Sequence, residues 1–186
     1  MNKNEIGVVR LESISIKNLK NIEFGEIYFP EKKKVQRGDI DEDDFKNVLG
    51  IYGQNGSGKT GCIDALRLIQ AMLSGVPPIP VYSQYVMAGE KSLEVDAEFL
   101  IKIDEKYYYV VYEVEIETIS GRLRINNERL SFKEGETSGK SNLFFKYNYS
   151  AGVSLSFLKL FTDESKDIYK YISRYESDGL YQNDAG

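Results

Sequence analysis

The residues best suited to do chemistry are consecutive: Gly53, Gln54, Asn55, Gly56, Ser57, Gly58, Lys59 and Thr60. They fit G-x-x-x-x-G-K-[ST], a loop that cradles phosphates. Its glycines allow backbone angles closed to other residues and let amides approach an anion with no Cβ in the way. Converging amides form a nest for phosphate oxygens. A helix starting at the end of the loop adds unpaired N–H groups and the positive end of its dipole. In this mechanism Lys59 reaches the β- and γ-phosphates and Thr60 offers its hydroxyl to Mg2+. The candidate nucleotide-binding residues run on through Gly61, with Thr60 as the metal contact. The plain alternative is a glycine-rich structural turn.

Such a loop needs a strand before it and a helix after it. Val48 to Tyr52 is a short apolar run suited to a buried strand. Beyond the loop Ile63, Leu66, Ile69 and Leu73 recur at helical spacing, and the helix is expected to end at Gly75, before Pro-Pro-Ile-Pro. Upstream, Val8 to Ile16 and Ile22 to Phe29 read as two strands that pair back on each other. The stretch 30–47 carries Lys32, Lys33, Lys34 and Arg37, then acidic residues through Asp44. It reads as a charged surface insertion. A basic nucleic-acid contact is the sharper reading, and the acidic half argues against it.

Downstream the period changes to two. Leu93, Val95, Ala97, Phe99, Ile101 and Ile103 alternate with mostly polar partners, and Tyr108, Val110, Tyr112, Val114 and Ile116 do so again. This is the pattern of a hairpin turning at Asp-Glu-Lys. Leu123, Ile125, Leu130 and Phe132 extend it, so 92–132 is expected to be an antiparallel β region. "LFFKYNYS" reads as a further strand. A helix is expected over 162–178, capped by Thr162 or Asp163, with Ile168, Tyr171, Ile172 and Tyr175 on one face. The 14 tyrosines are concentrated in these later elements, where they fit amphipathic packing better than base stacking.

Composition narrows the chemistry. The chain has 186 residues, a formal charge of -5, no histidine and a single cysteine, Cys62. Histidine triads and histidine metal sites are excluded, and no internal disulfide can form. The net charge disfavours non-specific coating of nucleic acid. No apolar run approaches the roughly 18 residues of a membrane span, and no secretory h-region stands at the start. A cytoplasmic protein with no membrane contact is the expectation.

The strings "LESISIKNLKNIEFGEIYF", "GIYGQNGSGKT" and "IDALRLI", followed by "AEFLIKIDEKYYYVVYEVEI" and "RINNERL", resemble the amino-terminal lobe of SMC/RecF-like, ABC-type ATPases. The likeness is greatest to the bacterial AAA-family ATPases grouped with RecF and the OLD nucleases, several of which serve in phage defence. It covers Leu11 to about Phe132. The fold it implies is an α/β (α+β) P-loop lobe, with mixed and antiparallel sheet packed on the P-loop helix. The implied ligands are ATP and Mg2+. Asn55 falls where the family's loop asparagine approaches the γ-phosphate region. Lys17, Asn18 and Lys20 match a segment that lies near the nucleotide in the family, with Leu19 in place of its usual aromatic.

Hydrolysis in that family also needs a Walker B aspartate, a glutamate that activates water and a signature motif from a partner subunit. "FLIKIDE" ends in Asp104 and Glu105, but Lys102 interrupts the apolar run and the alternation continues on both sides. Asp104 and Glu105 read as a hairpin turn. "AGVSLSF" is not a signature motif, and Gln182 is a weak Q-loop candidate. No catalytic residue is assigned. The whole of 1–186 is therefore expected to be the first half of an ATPase head. It would be completed by a carboxy-terminal half and would form homodimers of heads that act on DNA or gate an effector protein. ATPase activity is expected of the complete protein, with little or none in this chain. The alternatives are a non-hydrolysing nucleotide-binding regulatory module, or an interaction adaptor with a vestigial P-loop.

Overall fold

The computed structural model describes residues 6–29, 49–74, 80–103, 106–120, 122–135, 141–150 and 152–155. The charged stretch 30–47, the helix expected over 162–178 and the Asp104–Glu105 turn lie outside the described residues.

The elements are β1 (Ile6–Leu19), β2 (Ile22–Tyr28), α1 (Lys59–Leu73), a 3-10 helix (Pro80–Tyr85), β3 (Ser92–Ile103), β4 (Lys106–Ile119), β5 (Arg122–Glu134), β6 (Asn142–Asn148) and β7 (Gly152–Leu155). The strands form one seven-stranded sheet in the order β2-β1-β3-β4-β5-β6-β7. Each neighbouring pair is antiparallel. The expected α/β lobe is present, and the described part of its sheet is antiparallel rather than mixed.

Period-two alternation sorts the side chains. One row across the sheet runs Ile14, Ala97, Tyr112 and Leu130; the next begins Ile16, Val95 and Val114. These rows join Ala65, Leu68, Ile69 and Met72 of α1 in a single apolar cluster. Each fully buried Ile or Leu contributes about 1.5–3 kcal/mol. The other face is polar, with Ser15, Asp96, Glu113, Arg129 and Lys146 in register. A bulge at Asn126 adds one residue to β5 opposite Glu115 and Ile116. The insertion puts Ile125 and Leu130 on the same face despite their odd spacing. It also buries Glu128, which accepts a hydrogen bond from the Tyr112 hydroxyl at 2.5 Å.

One expectation differs from what is found. Residues 49–52 form no strand, because no neighbouring strand among the described residues hydrogen-bonds to them; Leu49, Ile51 and Tyr52 are exposed. The buried side of α1 is Gly61, Asp64, Ala65, Leu68, Ile69 and Met72, whereas Ile63 and Leu73 are 43% and 45% exposed. This helix is apolar on more than one side, and the sheet covers only one of them. Ser74 caps its C-terminus. No helix among the described residues is long and apolar enough to cross a membrane.

Candidate functional site

The glycine loop leads directly into α1. Gly56 and Gly58 have φ of 85° and 89°, the left-handed region that glycine enters without penalty. Gly58 is the N-cap, and its carbonyl accepts the Cys62 N–H at 3.1 Å. No side chain caps the helix, and no acidic residue stands in its first turn. The helix therefore opens with N–H groups that no capping side chain satisfies, the arrangement that suits an anion.

Lys59 folds back across the loop. Its ammonium donates to the Gly53 carbonyl at 2.6 Å and to the Gln54 carbonyl, with Ser57 Oγ at 3.5 Å. The Ser57 N–H donates to Gln54 O at 3.2 Å. A Cβ on Gly53 would stand 2.7 Å from Ser57 Oγ, so the small residue there serves close approach. Gln54, Asn55 and Thr60 are exposed beside the loop. Gly61 lies in the first turn of α1, where a Cβ would meet Ile22 Cδ1 at 2.7 Å. The end of the Ile22 side chain of the β1–β2 turn fills the space beside it.

That turn forms the other wall of the site. Asn21 donates from Nδ2 to the Gly56 carbonyl. Lys20 pairs with Asp64 of α1 and lies 4.1 Å from the centre of the Tyr85 ring. The Tyr85 hydroxyl donates to the other Asp64 oxygen at 3.3 Å. Burial, and then the neighbouring Asp64 carboxylate, push the Tyr85 phenol above its usual pKa, so it remains a donor. Backbone bonds from Lys20 N to Tyr85 O at 2.6 Å and from Met87 N to Asn18 O at 2.8 Å fix the turn to the chain after the 3-10 helix. Burial raises the Cys62 thiol pKa.

Of the three residues singled out upstream of the loop, Lys20 lies beside it through Asp64. Lys17 instead pairs with Glu94 at 2.7 Å on the polar face of the sheet, and Asn18 Nδ2 donates to Glu90 at 3.5 Å. Sequence reasoning passed over Asn21, Ile22, Asp64 and Tyr85. Asp64 carried a readable signal, because it falls in phase with the buried positions 61, 65, 68 and 72 of α1. The others had none, since their roles depend on which elements meet.

The arrangement can hold an anion: backbone donors at a helix start, a lysine at the loop, and a nearby buried carboxylate, Asp64, that is already paired. Among the described residues no three histidine, cysteine, aspartate or glutamate side chains are grouped to hold a metal.

A family model described as an AAA domain matches residues 13–179, and the chain belongs to that family. The chain is also similar to the DNA replication and repair protein RecF of Deinococcus radiodurans, at 34% identity over 93 residues. That match covers 50% of this chain and 21% of the relative, so it spans about a fifth of the relative's length. Both comparisons agree with an SMC/RecF-like AAA ATPase amino-terminal region.

Proposed function

We propose that this chain is the ATP-binding amino-terminal lobe of an SMC/RecF-like ATPase head. The observation that carries the reading is the loop with left-handed Gly56 and Gly58 running into the uncapped, acid-free start of α1, with Lys59 folded across it. Gly53 to Thr60 hold the triphosphate through backbone amides and Lys59, and Thr60 supplies its hydroxyl to Mg2+. Mg2+ bound with the nucleotide neutralises charge on the β- and γ-phosphate oxygens. Lys20 serves the site by holding the turn beside the loop.

The reading extends to a carboxy-terminal half that completes the site. Its support is exposed apolar side chains: Leu49 and Ile51 just before the loop, in backbone that joins no strand among the described residues, and Ile63 and Leu73 near the two ends of α1. A second half laying a strand along 49–52 would satisfy that backbone and cover Leu49 and Ile51. In the complete protein two heads engage around ATP, and hydrolysis releases them. The name of the similar RecF protein favours DNA over a phage-defence effector as the target.

Phosphate release tests this directly. The complete protein should hydrolyse ATP, and Lys59→Ala should remove the activity; this chain alone should release no more phosphate than its own Lys59→Ala variant. A complete protein that binds ATP but turns over no faster than Lys59→Ala is a regulatory nucleotide-binding module instead.

A further inference from the structure

We propose that Asn21 is a positioning residue for the phosphate loop, and that Lys20, Asp64 and Tyr85 hold Asn21 in place. The inference rests on the nucleotide-binding reading of the loop and adds a mechanism that shapes it.

Gly56 is the loop residue least constrained by its own chemistry. It has no side chain, it sits at φ 85°, and nothing lies within 4 Å of where its Cβ would be. Nothing packs against that position, and hydrogen bonds hold both ends of the Gly56–Ser57 peptide. Its carbonyl accepts from Asn21 Nδ2, and the Ser57 N–H donates to Gln54 O. A peptide is planar, so fixing the carbonyl also fixes the direction of the following N–H. The loop shape set in this way decides where its amides point.

Asn21 must itself be held. It follows Lys20, whose φ of 56°, like the 55° of Asn18, is uncommon for a residue with a side chain. Such a turn persists only when its surroundings determine it. The bonds Lys20 N to Tyr85 O and Met87 N to Asn18 O hold its backbone. The Lys20 ammonium is held by Asp64 and by the face of Tyr85. Asp64 belongs to α1, whose N-terminus faces the loop. Ile22, next in the chain, packs against the Cβ positions of Gly58 and Gly61. Turn, loop and helix thus form one closed unit, in which Asn21 is the member that grips the loop backbone.

The test compares Asn21→Leu, which keeps the size and loses the donor, with Asn21→Gln, which keeps a donor. Three properties of the 186-residue chain are read: Mg-ATP affinity by calorimetry, amide exchange over residues 56–60, and the thermal midpoint. The expected result for Asn21→Leu is about fivefold to tenfold weaker Mg-ATP binding, the effect of one lost hydrogen bond. Loop exchange should be faster while the midpoint stays close to wild type, and Asn21→Gln should recover most of the affinity. If Asn21→Leu does not fold, Asn21→Ser, too short to reach Gly56, is judged by the same criteria. Wild-type affinity together with wild-type loop exchange in the donor-lacking variant overturns the proposal. If wild type binds no nucleotide, the reading of the loop falls, and the exchange rates alone still decide whether Asn21 holds it.

Discussion

Lys20 and Asp64 form an ion pair that ties the β1–β2 turn to the second turn of α1. The Asp64 side chain is 3% exposed and that of Lys20 is 32% exposed. A carboxylate buried to that degree is costly without a partner. The Tyr85 hydroxyl donates to it, and Arg67, mostly exposed, stands 3.7 Å away.

Removing Lys20 should therefore cost more than one surface charge. Lys20→Met is expected to lower stability by about 2–3 kcal/mol, because Asp64 loses its main cation. Lys20→Met with Asp64→Leu should be less destabilised than the sum of the two single variants. Urea unfolding of the four proteins checks this, and strict additivity would show that the two side chains do not interact.

Gly58 and Gly61 should respond differently to alanine, although Ile22 lies against both. Gly58 has φ 89° and its added Cβ would stand 3.0 Å from Ile22 Cγ1. Gly58→Ala should cost about 1–2 kcal/mol from left-handed strain alone. Gly61 is helical, and its added Cβ would meet the flexible end of Ile22. There a gain of about 1 kcal/mol in helix propensity offsets the shift of one methyl group, so Gly61→Ala should be close to neutral. Equal losses at the two positions in denaturant unfolding would refute this account of the glycines.

Asp96 supplies a pH dependence. It lies on the polar face, in a concavity of about 350 Å³ shared with Glu94, Glu113, Glu115, Arg129 and Lys146. Burial, then the charges of Glu113, Glu94 and Glu98, raise its pKa from 3.8 to about 6, against the opposing effect of Lys17. Between those values the folded state holds more protons than the unfolded state. The contribution of Asp96 is therefore fully present below about pH 4 and is lost as pH rises through about 6. Asp96→Asn should be more stable than wild type at neutral pH, by about 1–2 kcal/mol after allowance for solvent screening. The two proteins should converge near pH 4. A stability difference that does not vary with pH would contradict the assignment.

The uncovered side of α1 makes a separate prediction. In this chain Ile63→Asn and Leu73→Asn should change stability by less than about 0.5 kcal/mol, as surface substitutions do. In the complete protein the same pair should cost several times more if a second half covers them. Thermal unfolding of both forms compares the two directly, and an equal, small effect in each would remove the support that this surface gives to a second half.

Legibility in the sequence followed locality. The alternation of Leu93, Val95 and Ala97 with Glu94, Asp96 and Glu98 announced β3 and its two faces, because a strand's period is a property of the chain itself. The glycine loop was legible for the same reason, since its residue types carry their backbone angles with them. The strand expected over Val48–Tyr52 is not formed over its described residues 49–52, because a strand needs a hydrogen-bonding neighbour, which a short apolar run does not reveal. Periodicity marked Ile63 and Leu73 as apolar positions of α1, but which of its sides is covered depends on where the sheet lies. Asn21 and Tyr85 were invisible because they meet the loop and Asp64 across 35 and 21 positions of sequence. The bulge at Asn126 was likewise set by pairing with β4.

The most direct measurement is a calorimetric titration of this chain with Mg-ATP, run beside Lys59→Ala. Weak, saturable binding at millimolar nucleotide that disappears in Lys59→Ala is the expected result, and it would establish the loop as a working phosphate site. A flat titration for wild type, or equal binding by Lys59→Ala, would contradict the nucleotide-binding reading and leave the loop as a structural turn.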